Sequence, residues 1–246
     1  MEPTLAAEKI FSIGPLPITN TLLTSWVVTL ILIAFATLVS RNLSMVPKTL
    51  QNLAEAALEP LYDLTESLAG EKTKAFLPYV ASFFFFIIVG NYIGLLPGVG
   101  TIGFHTVEHG KEVFVPFFRS INSDLNTTLA LALVSVIATH YLAIKYLGLG
   151  GYLGKFFSLN PIFLFVGLIE LVGEFTKIAS LSFRLFGNVF AGETVLATAS
   201  SKLFAFFVPI PFYFLEIIVG FVQALIFAIL TLVFMVILTE KHANDH

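Results

Sequence analysis

With 246 residues, 57% of them hydrophobic, only 12% charged and a mean hydropathy of +0.92, the chain lacks the charge to clothe a soluble domain, for which about 25% is usual. A formal net charge of −3 and a pI near 5.9 leave no basic stripe to meet phosphates, so a nucleic-acid partner is excluded. The absence of cysteine removes disulfide frameworks, thiolate metal sites and thiol nucleophiles. The apolar residues fall in long blocks, so the expected unit is a single membrane-embedded domain over residues 1–246.

Thr21 to Val39 is the first uncharged stretch that approaches the roughly 20 residues a membrane span requires. Ala34-Phe35-Ala36 looks like a signal cleavage site, but no basic segment precedes it and Arg41 and Lys48 follow directly, so the span is read as retained. From Pro47 to Gly70, the residues Leu50, Leu53, Ala57, Leu61, Leu64 and Leu68 recur at helical spacing, while Glu55, Glu59, Asp63 and Glu66 make the other side acidic. This predicts an interfacial amphipathic helix. Its acidic side is either a surface for a protein partner or an ordinary solvated face. Phe76 to Leu96 and Leu125 to Ile144 supply two more spans, the second containing His140, read as a satisfied helix-end residue.

The territory from Phe156 to Thr239 is long enough for two extended helices, with the turn of a hairpin expected at Val208-Pro209-Ile210-Pro211. The fold class is therefore all-α and polytopic, with about five membrane helices and the one interfacial helix. With the N-terminus outside, the inner side holds Arg41, Lys48, Lys72, Lys74, Lys145, Lys155 and Lys241. The outer side holds only Lys9, Lys111, Arg119 and Lys202, so the positive-inside rule favours that orientation.

This last block is unusual for its charges: Glu170, Glu174, Lys177, Arg184, Glu193, Lys202 and Glu216 all interrupt apolar sequence. One such group at the bilayer centre costs roughly 2.5–3.5 kcal/mol on insertion scales. At 100° per residue, Lys177 and Glu170 fall within about 20° and 40° of the Arg184 face, whereas Glu193 points about 180° away. Glu216 and Gln223 share a face of the last helix. Gly173, Ser180 and Gly187 flank the arginine at intervals of seven, a pattern that admits another helix backbone. Arginine keeps its proton where lysine readily loses it, so this face offers a permanent positive charge, whose natural counterpart is a carboxylate that need not lie on this chain. Glu174 and Lys177 are read as a static ion pair. Glu193 and Glu216 are read as proton-relaying carboxylates, and Glu193 as not locked in such a pair.

Ser180-Leu181-Ser182-Phe183-Arg184-Leu185-Phe186-Gly187-Asn188-Val189-Phe190-Ala191-Gly192-Glu193 resembles the signature helix of subunit a of F-type ATP synthases. Gln223-Ala224-Leu225-Ile226-Phe227, Ser123-Asp124-Leu125-Asn126-Thr127-Thr128-Leu129-Ala130 and Asn91-Tyr92-Ile93-Gly94-Leu95-Leu96-Pro97 extend the resemblance over most of the chain from about residue 76. The resemblance implies an ion-translocating stator subunit, not itself catalytic, that faces a ring of c subunits. It would also meet peripheral-stalk b subunits, with the lipid bilayer around it and the complete ATP synthase as its setting. It implies that Arg184 meets the ring carboxylate between two aqueous half-channels, with Asn188 and Gln223 beside that contact or the adjoining channel. Glu193 and Glu216 would deliver protons from outside. Glu170 would lie near the inner exit, and Asp124 and Asn122 would line the entrance. No cofactor or metal is implied; the translocated ion is expected to be a proton. The expected location is a bacterial inner membrane, with a thylakoid or mitochondrial inner membrane as the alternatives. The rival reading is a stand-alone secondary ion transporter, disfavoured because no internal repeat or paired broken helix is evident. No Walker-type phosphate loop is present, so nucleotide sites would belong to other subunits.

Overall fold

A computed structural model describes residues 7–14, 16–41, 43–96, 98–108, 111–156, 161–202 and 209–240. A hairpin of β1 (Lys9–Ile13) and β2 (Leu16–Thr19) leads into α1 (Asn20–Arg41) and then α2 (Thr49–Ala69). A short 3-10 turn at Gly70–Lys72 joins α2 to α3 (Thr73–Leu95). A second hairpin, β3 (Gly103–Glu108) with β4 (Lys111–Pro116), and the 3-10 turn Ile121–Ser123 precede α4 (Leu125–Phe156). Then come α5 (Pro161–Lys202) and α6 (Pro209–Thr239). By length and composition, Asn20–Arg41, Thr49–Leu95, Leu125–Phe156 and Pro209–Thr239 are able to cross a membrane. The all-α polytopic architecture holds, with two small antiparallel hairpins added to it.

Local chemistry sets the ends of these helices. The Thr19 hydroxyl accepts the Leu22 N–H at 3.3 Å, and Asp124 accepts the Asn126 N–H at 3.0 Å, each from the residue just before a helix. A side-chain oxygen at that position satisfies donors that the first turn leaves free. The expected hairpin turn is corrected. Pro209, Ile210 and Pro211 open α6 rather than forming the reversal, because proline has no N–H to lose in a first turn and its φ suits a helix. Val208, with the rest of 203–208, lies outside the described residues. The third span is also longer than expected: α4 continues past Ile144, then breaks at Gly148, whose φ of 73° and ψ of 165° are not helical. Glycine reaches this region without the clash a Cβ would cause. His140 therefore sits inside a helix rather than at its end.

Helices α3 and α5 each run antiparallel to α6. Asn91 donates to the Gly220 carbonyl at 3.2 Å and Lys72 to the Thr239 carbonyl at 2.9 Å, which fixes the register of α3 against α6. Asn188 meets Gln223 while Lys177 lies over the Phe234 ring, fixing α5 against α6. Phe76, Val80, Ile87, Leu185, Phe227, Leu232 and Met235 form the interior. In lipid, apolar burial gives little force between helices, so close packing and interhelical hydrogen bonds carry the association, the latter about 0.6 kcal/mol each. Ser135 to Thr231 at 2.8 Å and Thr128 to Ser182 at 3.1 Å are two such bonds.

Candidate functional site

The site is built on α5, whose two sides differ. Leu181, Leu185 and Val189 are buried against the bundle, while Ser180, Phe183, Arg184, Gly187, Asn188 and Ala191 are exposed. Around Gly173 and Gly187 a notional Cβ would touch nothing within 4 Å, so the small residues leave the arginine's side open. Arg184 Nη2 donates to Ser180 Oγ at 3.2 Å, and among the described residues no carboxylate forms an ion pair with it. A guanidinium held this way is a permanent positive charge on an open helix face.

Toward the Lys202 end of α5 lies a polar cluster. Glu216 of α6 is only 6% exposed, and its carboxyl packs over Gly192, where any Cβ would overlap it. Glu193, the next residue, is within Coulombic reach of Glu216. The expectation that Glu193 lies outside an ion pair is corrected: its Oε2 accepts Arg119 Nε at 3.3 Å, both side chains being largely buried. Gly90 and Gly94 of α3 make this contact possible. A Cβ on Gly94 would run into the Ser120 backbone and one on Gly90 would overlap the Ile121 side chain, so the two glycines let the segment before α4 lie close against α3. That seating places Arg119 beside α5 and brings Asn122 Nδ2 to Asn91 Oδ1 at 2.7 Å and to the Ile87 carbonyl at 3.3 Å.

One turn from Arg184, Asn188 Nδ2 donates to Gln223 Oε1 at 2.6 Å. This polar link lies between the arginine and the Glu193–Glu216 pair. Asp124 lies apart from it. The carboxylate caps α4 and accepts the Thr21 hydroxyl at 3.1 Å, binding α1 to the bundle, beside a groove lined by Thr19, Thr21, Ser25, Asn126 and Thr127. Its structural duty is therefore plain.

The other end of α5 carries a second cluster. The Glu174–Lys177 ion pair is present at 2.6 Å, and the remaining Glu174 oxygen lies 3.5 Å from His140 Nε2. Glu170, one turn further along, is within Coulombic reach of Lys155. By helical rise, Glu193 lies about 14 Å beyond Arg184 and Glu174 about 15 Å before it, so the arginine stands midway between two polar regions.

Among the expected residues, the structure joins Glu193 with Glu216, Asn188 with Gln223, and Arg184 with the small-residue face. It keeps Glu170 and Asp124 outside those contacts. Arg119, Asn91, His140 and Tyr152 were not expected as site residues. Asn91 and His140 had a visible signal, each a lone polar side chain in an apolar span. The sequence profile of the family described as ATP synthase A chain matches residues 22–236. ATP synthase subunit a of Moorella thermoacetica is 32% identical over 234 residues, covering 95% of this chain and 97% of that protein. ATP synthase subunit a of Syntrophobacter fumaroxidans is 34% identical over 213 residues, covering 85% of this chain and 80% of that protein. Matches of this extent, on the helices that carry the arginine and its polar neighbours, place the chain in the ATP synthase A chain family.

Proposed function

We propose that the chain is the ion-translocating stator of an F-type ATP synthase, forming two proton half-channels against a rotating c-ring. The observation that carries this reading is the exposed Arg184 on a face of small residues, midway between two polar clusters on one helix. A proton taken up through the Glu193 and Glu216 region neutralises a ring carboxylate, which then tolerates lipid as the ring turns. At the far polar region the carboxyl gives up its proton and the anion meets Arg184. A unit charge moving through the field gains about 2.3 kcal/mol per 100 mV, comparable to the cost of burying one charge. Rotation is driven only if that cost is kept small, and the guanidinium does so by meeting the bare carboxylate. Its fixed charge also repels protons that would leak directly between the clusters.

The chain holds no nucleotide in this scheme; ATP is made on other subunits, to which peripheral-stalk b subunits hold the stator. The bacterial relatives favour a bacterial inner membrane, and the count of Lys and Arg favours an outer N-terminus. Replacing Arg184 with alanine in the assembled complex is expected to abolish proton-driven ATP synthesis in membrane vesicles. Normal synthesis by a correctly assembled Arg184→Ala enzyme would contradict the reading.

A further inference from the structure

We propose that Glu174, His140 and Tyr152 form a proton relay at the Pro161 end of α5, carrying protons between the ring side and water. The proposal rests on the half-channel reading above and names side chains that would do the work at one end of it.

The three groups form a continuous line. Lys177 Nζ holds one oxygen of Glu174 at 2.6 Å, leaving the other 3.5 Å from His140 Nε2. On the opposite edge of the imidazole, Nδ1 lies 3.0 Å from the Tyr152 hydroxyl. One ring nitrogen is thus hydrogen-bonded to a phenol, and the other has a carboxylate within ion-pair range. An imidazole so placed can take a proton at one nitrogen while releasing one from the other.

The backbone is shaped to make this contact. His140 and Tyr152 are twelve residues apart within α4; in an unbroken helix that separation is about 18 Å. Only the break at Gly148, with its φ of 73°, folds the later segment back so that the Tyr152 ring meets the imidazole edge-on at 5.8 Å. A groove of about 320 Å³ runs beside the cluster, lined in part by Val136, Leu153, Leu171 and Phe175. Among the described residues, the charged and titratable groups around the imidazole are Glu174 and Lys177 of α5 and Tyr152 of α4 itself; α6 contributes the Phe234 ring beneath Lys177.

In the outward transfer, Glu174 gives a proton received from the ring side to Nε2. Nδ1 gives its own proton to the Tyr152 oxygen, and the phenol releases its original proton to a water molecule that reaches its hydroxyl. The carboxylate, imidazole and phenol end with the charges they began with. Tautomer exchange and rotation of the hydroxyl then reset the line.

The test uses the complete ATP synthase in membrane vesicles, following ATP-driven proton pumping with assembly checked in parallel. His140→Ala is expected to slow pumping about a hundredfold or more, the scale of a lost proton-transfer group. Free imidazole, small enough for the groove enlarged by the truncation, should restore much of the rate. Tyr152→Phe, which keeps the ring and loses only the hydroxyl, should slow it as well. Unchanged pumping in either variant would overturn the relay, as would a slow His140→Ala enzyme that imidazole does not rescue. Arg184→Ala in the same vesicles separates the two levels: if it still couples, the half-channel reading falls, and if it alone fails, only the relay does.

Discussion

An arginine exposed on an apolar helix face is costly unless something regularly meets it, and Arg184 has only the Ser180 hydroxyl within the described residues. The neighbouring glycines make the same point sterically. At Gly192, a Cβ would occupy the volume now held by the Glu216 carboxyl, so Gly192→Ala should push that carboxyl away from Glu193 while leaving assembly intact. Proton pumping by the complex is expected to fall about tenfold, and an assembled Gly192→Ala enzyme with normal pumping would show that the Glu193–Glu216 proximity is not used. Most of these residues could be read directly from the sequence, because a charge or amide inside an apolar run is conspicuous. Arg119 could not. It looks like an ordinary loop cation, and its partner Glu193 lies 74 positions away, joined to it only by the seating of the intervening segment on Gly90 and Gly94.

The spanning helices were visible at the level of elements because composition alone dictates them in lipid. Their details depend on conformations that hydropathy does not encode. Gly148 is one of several glycines near the end of α4, and nothing in the pattern marks it as the one that turns left-handed. The β3–β4 hairpin, linked through two residues between Glu108 and Lys111, is too short to compete with the apolar blocks around it. The end of α6 shows how elements are tied together. Lys72, before α3, reaches the Thr239 carbonyl and hydroxyl at 2.9 and 3.1 Å, and Lys155, at the end of α4, reaches the Leu238 and Ile237 carbonyls at 2.9 and 3.2 Å. Cations at a helix C-terminus satisfy free carbonyls and oppose the helix dipole. Replacing both lysines with methionine should destabilise that end by about 1–2 kcal/mol. Faster hydrogen exchange of the amides before Thr239 would register the change, and unaltered exchange would count against the clamp.

For the whole molecule, helix length limits how the hairpin can lie. The 42 residues of α5 make a helix about 63 Å long, roughly twice the thickness of the hydrocarbon core. Such a helix stays within the bilayer only by lying strongly oblique, and α6 packs along it in antiparallel register. An oblique hairpin exposing Arg184 and small residues suits a broad, curved neighbour, whereas a stand-alone transporter would enclose its charged residues. A contact between this face and the ring is what separates the two readings. The absence of cysteine makes it directly testable by disulfide cross-linking in native membranes. Single cysteines at Ser180 and Gly187 would be paired with cysteines near the carboxylate of a co-expressed ring subunit. Leu30, exposed on α1 away from the hairpin, serves as the control. Cross-links at Ser180 and Gly187 but not at Leu30 are the predicted result; no cross-link on the arginine face, together with ion transport by the purified chain alone in liposomes, would contradict it.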